Sequence, residues 1–208
     1  MIETPFSRAS AVYVEPIAQI WIAAAARIGF EVVRSSEVYA HADGRGRIVI
    51  GTSETLDPDD HLGQMIFHEI CHALIQGPDN LDRPDWGLDN TSDRDEGRER
   101  ATLRLQRALA MQAGLTCLMA PTTDYRAFWD AIGDPHAGDV EEVALLRAGL
   151  ERSAEPPFAP HLQTALRATR AIVRVVERVC GAEVRASGTI LRSDASSVVD
   201  RPRSPSSR

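Results

Sequence analysis

His68-Glu69-Ile70-Cys71-His72 is the feature that most restricts how this chain can fold. Histidines four apart stack on one helical face, about 5 to 6 Å between Cβ atoms, so both imidazoles can converge on a single point. The flanks agree with a helix. Asp57-Pro58-Asp59-Asp60 supplies an N-cap, a first-turn proline and acids suited to the positive helix end, and Gly77-Pro78 stops the run, which predicts a helix over residues 60–76. A helix that converges two imidazoles needs a second element to complete the site, so the pattern also demands a packed neighbour.

His68 and His72 are candidate metal ligands, and Glu69, about 100° round the helix, can act as the general base toward a water at the ion. The plainer alternative is a pair of satisfied core histidines beside a solvated glutamate. A mononuclear site needs a third protein ligand, and Pro78 stands where the longer HExxHxxGxxH pattern would put a histidine. Carboxylates at the start of the next helix are the natural source. Glu99 ranks first and Glu96 second; alternatively these acids complement the helix dipole and pair with Arg98, Arg100 and Arg104. His61 is about 10 Å along the axis from His68, a surface or supporting residue. Cys71 points off the metal face, as a small buried apolar group. Tyr125 and His136 are candidates to contact a reacting oxyanion, or else packing and surface groups.

All 23 basic residues are arginine. The absence of lysine excludes Schiff-base chemistry, a pyridoxal-phosphate lysine, a Walker-type phosphate loop and a kinase-type ATP site. The net charge of -7 argues against nucleic acid as the main partner, and no apolar run reaches the roughly 18 residues of a membrane span. Cys71, Cys117 and Cys180 match neither a CxxC clip nor a disulfide framework. With MIETPF at its start and no convincing signal cleavage site, the chain reads as cytoplasmic.

The predicted fold class is α+β: a small sheet packed beside the HExxH helix, with a helical C-terminal half. Glu15-Pro16 opens a helix that Gly29 closes. Residues 30–34 and 47–51 have the β-branched content of strands, and His41 to Gly46 between them reads as turn chemistry. Further helices are expected over 94–113, 124–132, 140–153 and 161–180, in one domain of residues 1–186. Residues 187–208, rich in serine, arginine and proline, read as a disordered tail.

The stretch HEICHALIQG, followed by thirteen residues ending in Asp85-Trp86-Gly87-Leu88-Asp89-Asn90, resembles the elongation factor P hydroxylases. Glu99, followed by Leu105 and Ala113-Gly114, is similar to that family's downstream glutamate and Ala-Gly spacing, and Arg47 to Ile50 resembles its preceding strand. The likeness covers roughly residues 47–115. It implies a zincin-like fold, iron-dependent hydroxylation of a protein or peptide side chain, and site roles for Asp85 and Trp86.

Two chemistries fit one ligand set. With Fe²⁺, His68, His72 and Glu99 would make a two-histidine, one-carboxylate triad, and hydroxylation is narrowly the preferred expectation. With Zn²⁺, the same residues and Glu69 would serve a peptidase or amidase. The third expectation is a non-catalytic zincin-like binding scaffold. In the enzymatic cases the expected partner is a protein or peptide substrate, with no role for nucleic acid or membrane.

Overall fold

The computed structural model describes residues 15–89, 93–121 and 123–180. The chain groups into two compact units, Met1–Arg170 and Ala171–Arg208. The expected tail, 187–208, lies outside the described residues. Of the second unit, the described part is the end of a helix that stops at Cys180, where Val175, Val176 and Val179 are exposed.

The architecture is α+β, with six α-helices and one three-stranded sheet among the described residues. In chain order these are α1 (Pro16–Ile28), β1 (Glu31–Ser35), β2 (Ala40–Ala42), β3 (Arg47–Gly51), α2 (Leu62–Gln76), α3 (Glu96–Ala113), α4 (Thr123–Ala131), α5 (Val140–Ser153) and α6 (His161–Cys180). Short 3-10 turns at Pro78–Asn80, Asp85–Gly87 and Asp93–Asp95 join α2 to α3. No helix of the described residues is long and apolar enough to cross a membrane.

The sheet has the order β1-β3-β2. β3 pairs in parallel with β1, Val33 opposite Val49, and antiparallel with β2, His41 opposite Val49. β2 corrects the expectation of a plain turn over residues 41–46. His41 and Ala42 belong to a strand too short to show alternation, and the turn is confined to the residues between Ala42 and Arg47. β1 starts one residue later than expected, at Glu31.

α2 is the hub of the first unit. Phe67, Ile70, Cys71 and Leu74 are all fully buried, with α1, α3, α5 and β3 packed around them. Burying a side chain of that size contributes about 1.5 to 3 kcal/mol relative to leaving it exposed. Trp21 of α1 meets Phe67 at a centroid distance of 4.9 Å and donates its indole N–H to Thr169 Oγ1 at 3.2 Å. Gly149 of α5 allows the third side of the wrap: a Cβ there would lie 2.8 Å from Leu105 Cδ2 and 3.1 Å from Ile75 Cδ1.

The two ends of α2 are closed differently from the expectation. The helix begins at Leu62, and its N-cap is His61, whose Nδ1 accepts from the Gln64 amide while Gln64 Oε1 accepts from the His61 amide. Asp57-Pro58 instead precedes a turn in which the Asp60 amide bonds Asp57 O, so the proline starts the approach and not the helix. At the other end Arg152 of α5 donates to Leu74 O at 2.5 Å and Ile75 O at 3.3 Å, placing a cation on carbonyls at the negative helix end.

α3 is fixed to α5 by a buried ion pair. Arg104 Nε donates to Glu142 Oε2 at 2.7 Å, and its Nη1 donates to Ala137 O at 2.7 Å. Breaking a buried pair by removing one partner strands the other charge, so this contact fixes the rotation of α3 about its axis.

Candidate metal centre

The four-residue spacing on α2 brings His68 and His72 together with their Nε2 atoms 3.0 Å apart. From α3, which packs across α2, Glu99 joins them: Oε2 lies 3.2 Å from His72 Nε2 and Oε1 3.5 Å from His68 Nε2. Among the described residues this is the one cluster of three such side chains able to surround an ion. An ion with bonds of about 2.1 Å separates its ligands by roughly 3.0 Å at right angles and 3.4 Å in a tetrahedron. Two of the observed edges, 3.0 and 3.2 Å, fall in that range, and the third, 3.5 Å, lies just beyond it.

Glu99 Oε1 is buried with no hydrogen-bond partner. A carboxylate oxygen left so, facing two imidazole nitrogens, is what a cation site requires and what an ordinary core disfavours. The residues therefore fit a divalent ion.

Glu96 is placed otherwise. It pairs with Arg100 one turn on, and its side chain is half exposed, so the alternative third ligand is corrected to a surface ion pair. Although three residues apart on neighbouring stripes of α3, Glu99 turns to the α2 histidines while the Glu96 side chain turns to Arg100 at the surface.

Glu69 is buried beside the cluster, and Oε2 accepts from the Trp86 indole N–H at 2.9 Å. That indole is delivered by the Asp85–Gly87 turn, where Asp85 and Trp86 have φ of 49° and 57°, a left-handed conformation unfavourable for side chains other than glycine. Asp85 reaches the other way: Oδ1 lies 2.7 Å from His41 Nδ1 and accepts from the Ala42 amide at 3.3 Å. One strained turn thus ties the edge strand β2 to the acid of the HExxH motif.

Tyr125 of α4 is exposed to 40%, and burial, then the charges of Glu99, Asp124 and Glu96, push its phenol above the usual range. It keeps its proton at neutral pH and stands within the electrostatic reach of Glu99. His136 lies exposed in the turn before α5, away from any ligand cluster among the described residues. Cys71 is buried, with its thiol raised by desolvation and then by Glu69.

Two residues absent from the sequence reading sit against the histidines. Gln106 Oε1 is 2.7 Å from His68 Nδ1, and Thr102 Oγ1 is 3.3 Å from His72 Nδ1. Both are fully buried. Their spacing from Glu99, three and seven residues along α3, puts all three on one face, which is the signal that could have found them.

No family model, curated protein or solved structure matches the chain.

Burial, and then the charge of His68, push His72 down from 6.5 to about 3, while Glu69 and Asp85 act the other way. Burial pushes Glu99 up, with His68 opposing. The pH dependence follows from the signs. Below 6.5 the unfolded chain takes up a proton that folded His72 refuses, so this group's contribution is present above 6.5 and is lost toward about 3. Each pH unit in that window costs up to about 1.4 kcal/mol. Glu99 has the opposite sign: folded, it keeps its proton above the usual carboxylate range, so its contribution is lost as pH rises through its raised value. In metal-free Glu99→Gln protein, which lacks the opposing carboxyl, urea midpoints are expected to fall as pH is lowered from 6.5 toward about 3; a flat profile would remove His72 as a buried neutral imidazole.

Proposed function

We propose that the protein is a metal-dependent hydrolase of the HExxH-plus-glutamate kind, zincin-like in its arrangement, acting on a peptide or amide bond. His68, His72 and Glu99 would hold the ion, which when bound supplies Lewis acidity to a water and to the scissile carbonyl. The observation that carries this reading is Glu69. It is a buried carboxylate next to the ligand cluster, with one oxygen held by the Trp86 indole and no cationic partner among the described residues, so its second oxygen is left to take a proton.

The chain's own residues then divide the work. Trp86 fixes the Glu69 carboxylate through Oε2 and leaves Oε1 to accept the proton of the attacking water. The same carboxyl can return that proton to the departing amine. Tyr125, which retains its phenolic proton, is suited to donate to an oxygen on which charge develops, on the Glu99 side of the cluster.

A second reading, hydroxylation of a peptide side chain with iron as the ion, is favoured by the position of Asp85-Trp86-Gly87. The segment that carries the resemblance to elongation factor P hydroxylases contacts Glu69 and β2 directly. The acid Glu69 has no evident duty in that chemistry, which is why hydrolysis stands first.

The experiment is elemental analysis of protein purified anaerobically without added metal, followed by oxygen uptake and digestion of a random peptide library on the same sample. One zinc per chain with library cleavage is the expected result. Iron with oxygen uptake would replace it by the second reading. Failure to bind either ion after both are supplied would overturn both and leave a binding scaffold.

A further inference from the structure

The hydrogen-bond chain behind the two histidines has a direction, and the direction can be read. Gln106 Nε2 donates to Met119 O at 2.9 Å. A backbone carbonyl only accepts, so the amide group of Gln106 has one orientation, with Oε1 toward His68. Oε1 also only accepts. His68 Nδ1, 2.7 Å away, must therefore carry the proton.

Thr102 leaves two choices. Its hydroxyl has one proton and two possible takers, Arg98 O at 3.0 Å one turn back along α3 and His72 Nδ1 at 3.3 Å. When the proton goes to Arg98 O, Oγ1 accepts from His72 Nδ1 and Nε2 is free for an ion; when it goes to Nδ1, the ring's proton sits on Nε2, which can donate to His68 Nε2 at 3.0 Å. Neither arrangement competes with solvent, since Thr102 and Gln106 are fully buried.

The geometry points to Gln106 as a positioning residue that locks His68 in the Nδ1–H tautomer, and to Thr102 as the hydroxyl that admits the same tautomer at His72 when Nε2 is engaged by an ion. His68 then turns an Nε2 lone pair toward His72 Nε2, 3.0 Å away, and toward the Glu99 oxygen that has no hydrogen-bond partner. The site motif is therefore bipartite, HExxH on α2 and Glu99-x-x-Thr102-x-x-x-Gln106 on α3. Both supports are neutral. An amide and a hydroxyl orient the rings without adding the negative charge that a carboxylate support would bring, so they leave more positive charge on a bound ion. The tautomer assignment stands on the protein's hydrogen bonds alone; its consequence for affinity rests on the metal reading.

Long-range ¹H–¹⁵N correlation of the histidine side chains in metal-free protein tests the tautomers directly. Protonated Nδ1 and unprotonated Nε2 are expected for His68 in metal-free protein and for both rings with zinc bound, and a protonated Nε2 on His68 would overturn the lock. Gln106→Leu is expected to release the tautomer of His68, and Gln106→Leu and Thr102→Val each to lower zinc affinity about 10- to 100-fold in chelator competition. Thr102→Ser, which keeps the hydroxyl, should retain the affinity. The untouched histidine in each variant reports that the site is still folded, and the wild-type spectrum decides the assignment whatever the variants do. An unchanged His68 tautomer in the Leu variant, or unchanged zinc affinity in the Val variant, would overturn the proposal. The stated His68 tautomer with no zinc bound would leave the lock standing and remove the metal reading.

Discussion

Glu69→Gln is expected to leave metal affinity within about twofold of wild type and to lower peptide hydrolysis by about 10²- to 10⁴-fold, the range of a lost general base. The substitution is nearly isosteric, and the side-chain amide oxygen can still accept from the Trp86 indole, so packing around the turn is preserved. What disappears is the ability to take a proton. Metal content and initial rates on a cleaved library peptide, measured on the same preparation, check both halves. Retained hydrolysis would take the base role from Glu69, and unchanged oxygen-dependent activity in an iron-loaded variant would move the function to hydroxylation.

Glu99→Gln carries the second large effect, and its two halves have opposite signs. Loss of the carboxylate should weaken zinc binding by more than about 100-fold, beyond the range expected for loss of a supporting residue. The metal-free protein should become more stable at neutral pH. A buried carboxyl that desolvation pushes upward opposes folding once it ionises, and a neutral amide does not. Denaturant midpoints without metal and with saturating zinc are expected to cross: the variant above wild type without the ion, and below it with the ion. Glu96→Gln should change neither, because its partner is Arg100 on the surface.

The parts legible in the sequence were those in which local chemistry and tertiary structure agree. α5 and α6 run over the residues expected, and α1 is opened by Glu15-Pro16 and closed by Gly29, as their chemistry dictates. The triad was accessible because helical spacing places His68 and His72 by itself, and because a carboxylate three residues into the next helix faces inward. β2 was hidden because three residues show no period, and Asp-Gly within the neighbouring segment is a strong turn signal. The start of α2 was misplaced because Asp57-Pro58 is good cap chemistry in the wrong place, while histidine is an unusual N-cap. Thr102 and Gln106 look like solvent-facing residues of a polar helix; only their burial, contradicting their polarity, reveals a task. The His41–Asp85 contact joins elements distant in the chain and has no local signature at all.

Glu99, Thr102 and Gln106 all come from one face of α3, and this has a consequence for how the protein is made. A helix turned by a single residue rotates its face by about 100°, so a misdocked α3 would forfeit a ligand and both imidazole supports together. If the site holds an ion as proposed, partial assembly would earn almost no affinity, and uptake of the ion would act as a proofreading step: only chains in which α2 and α3 have met in the right register would be charged with metal.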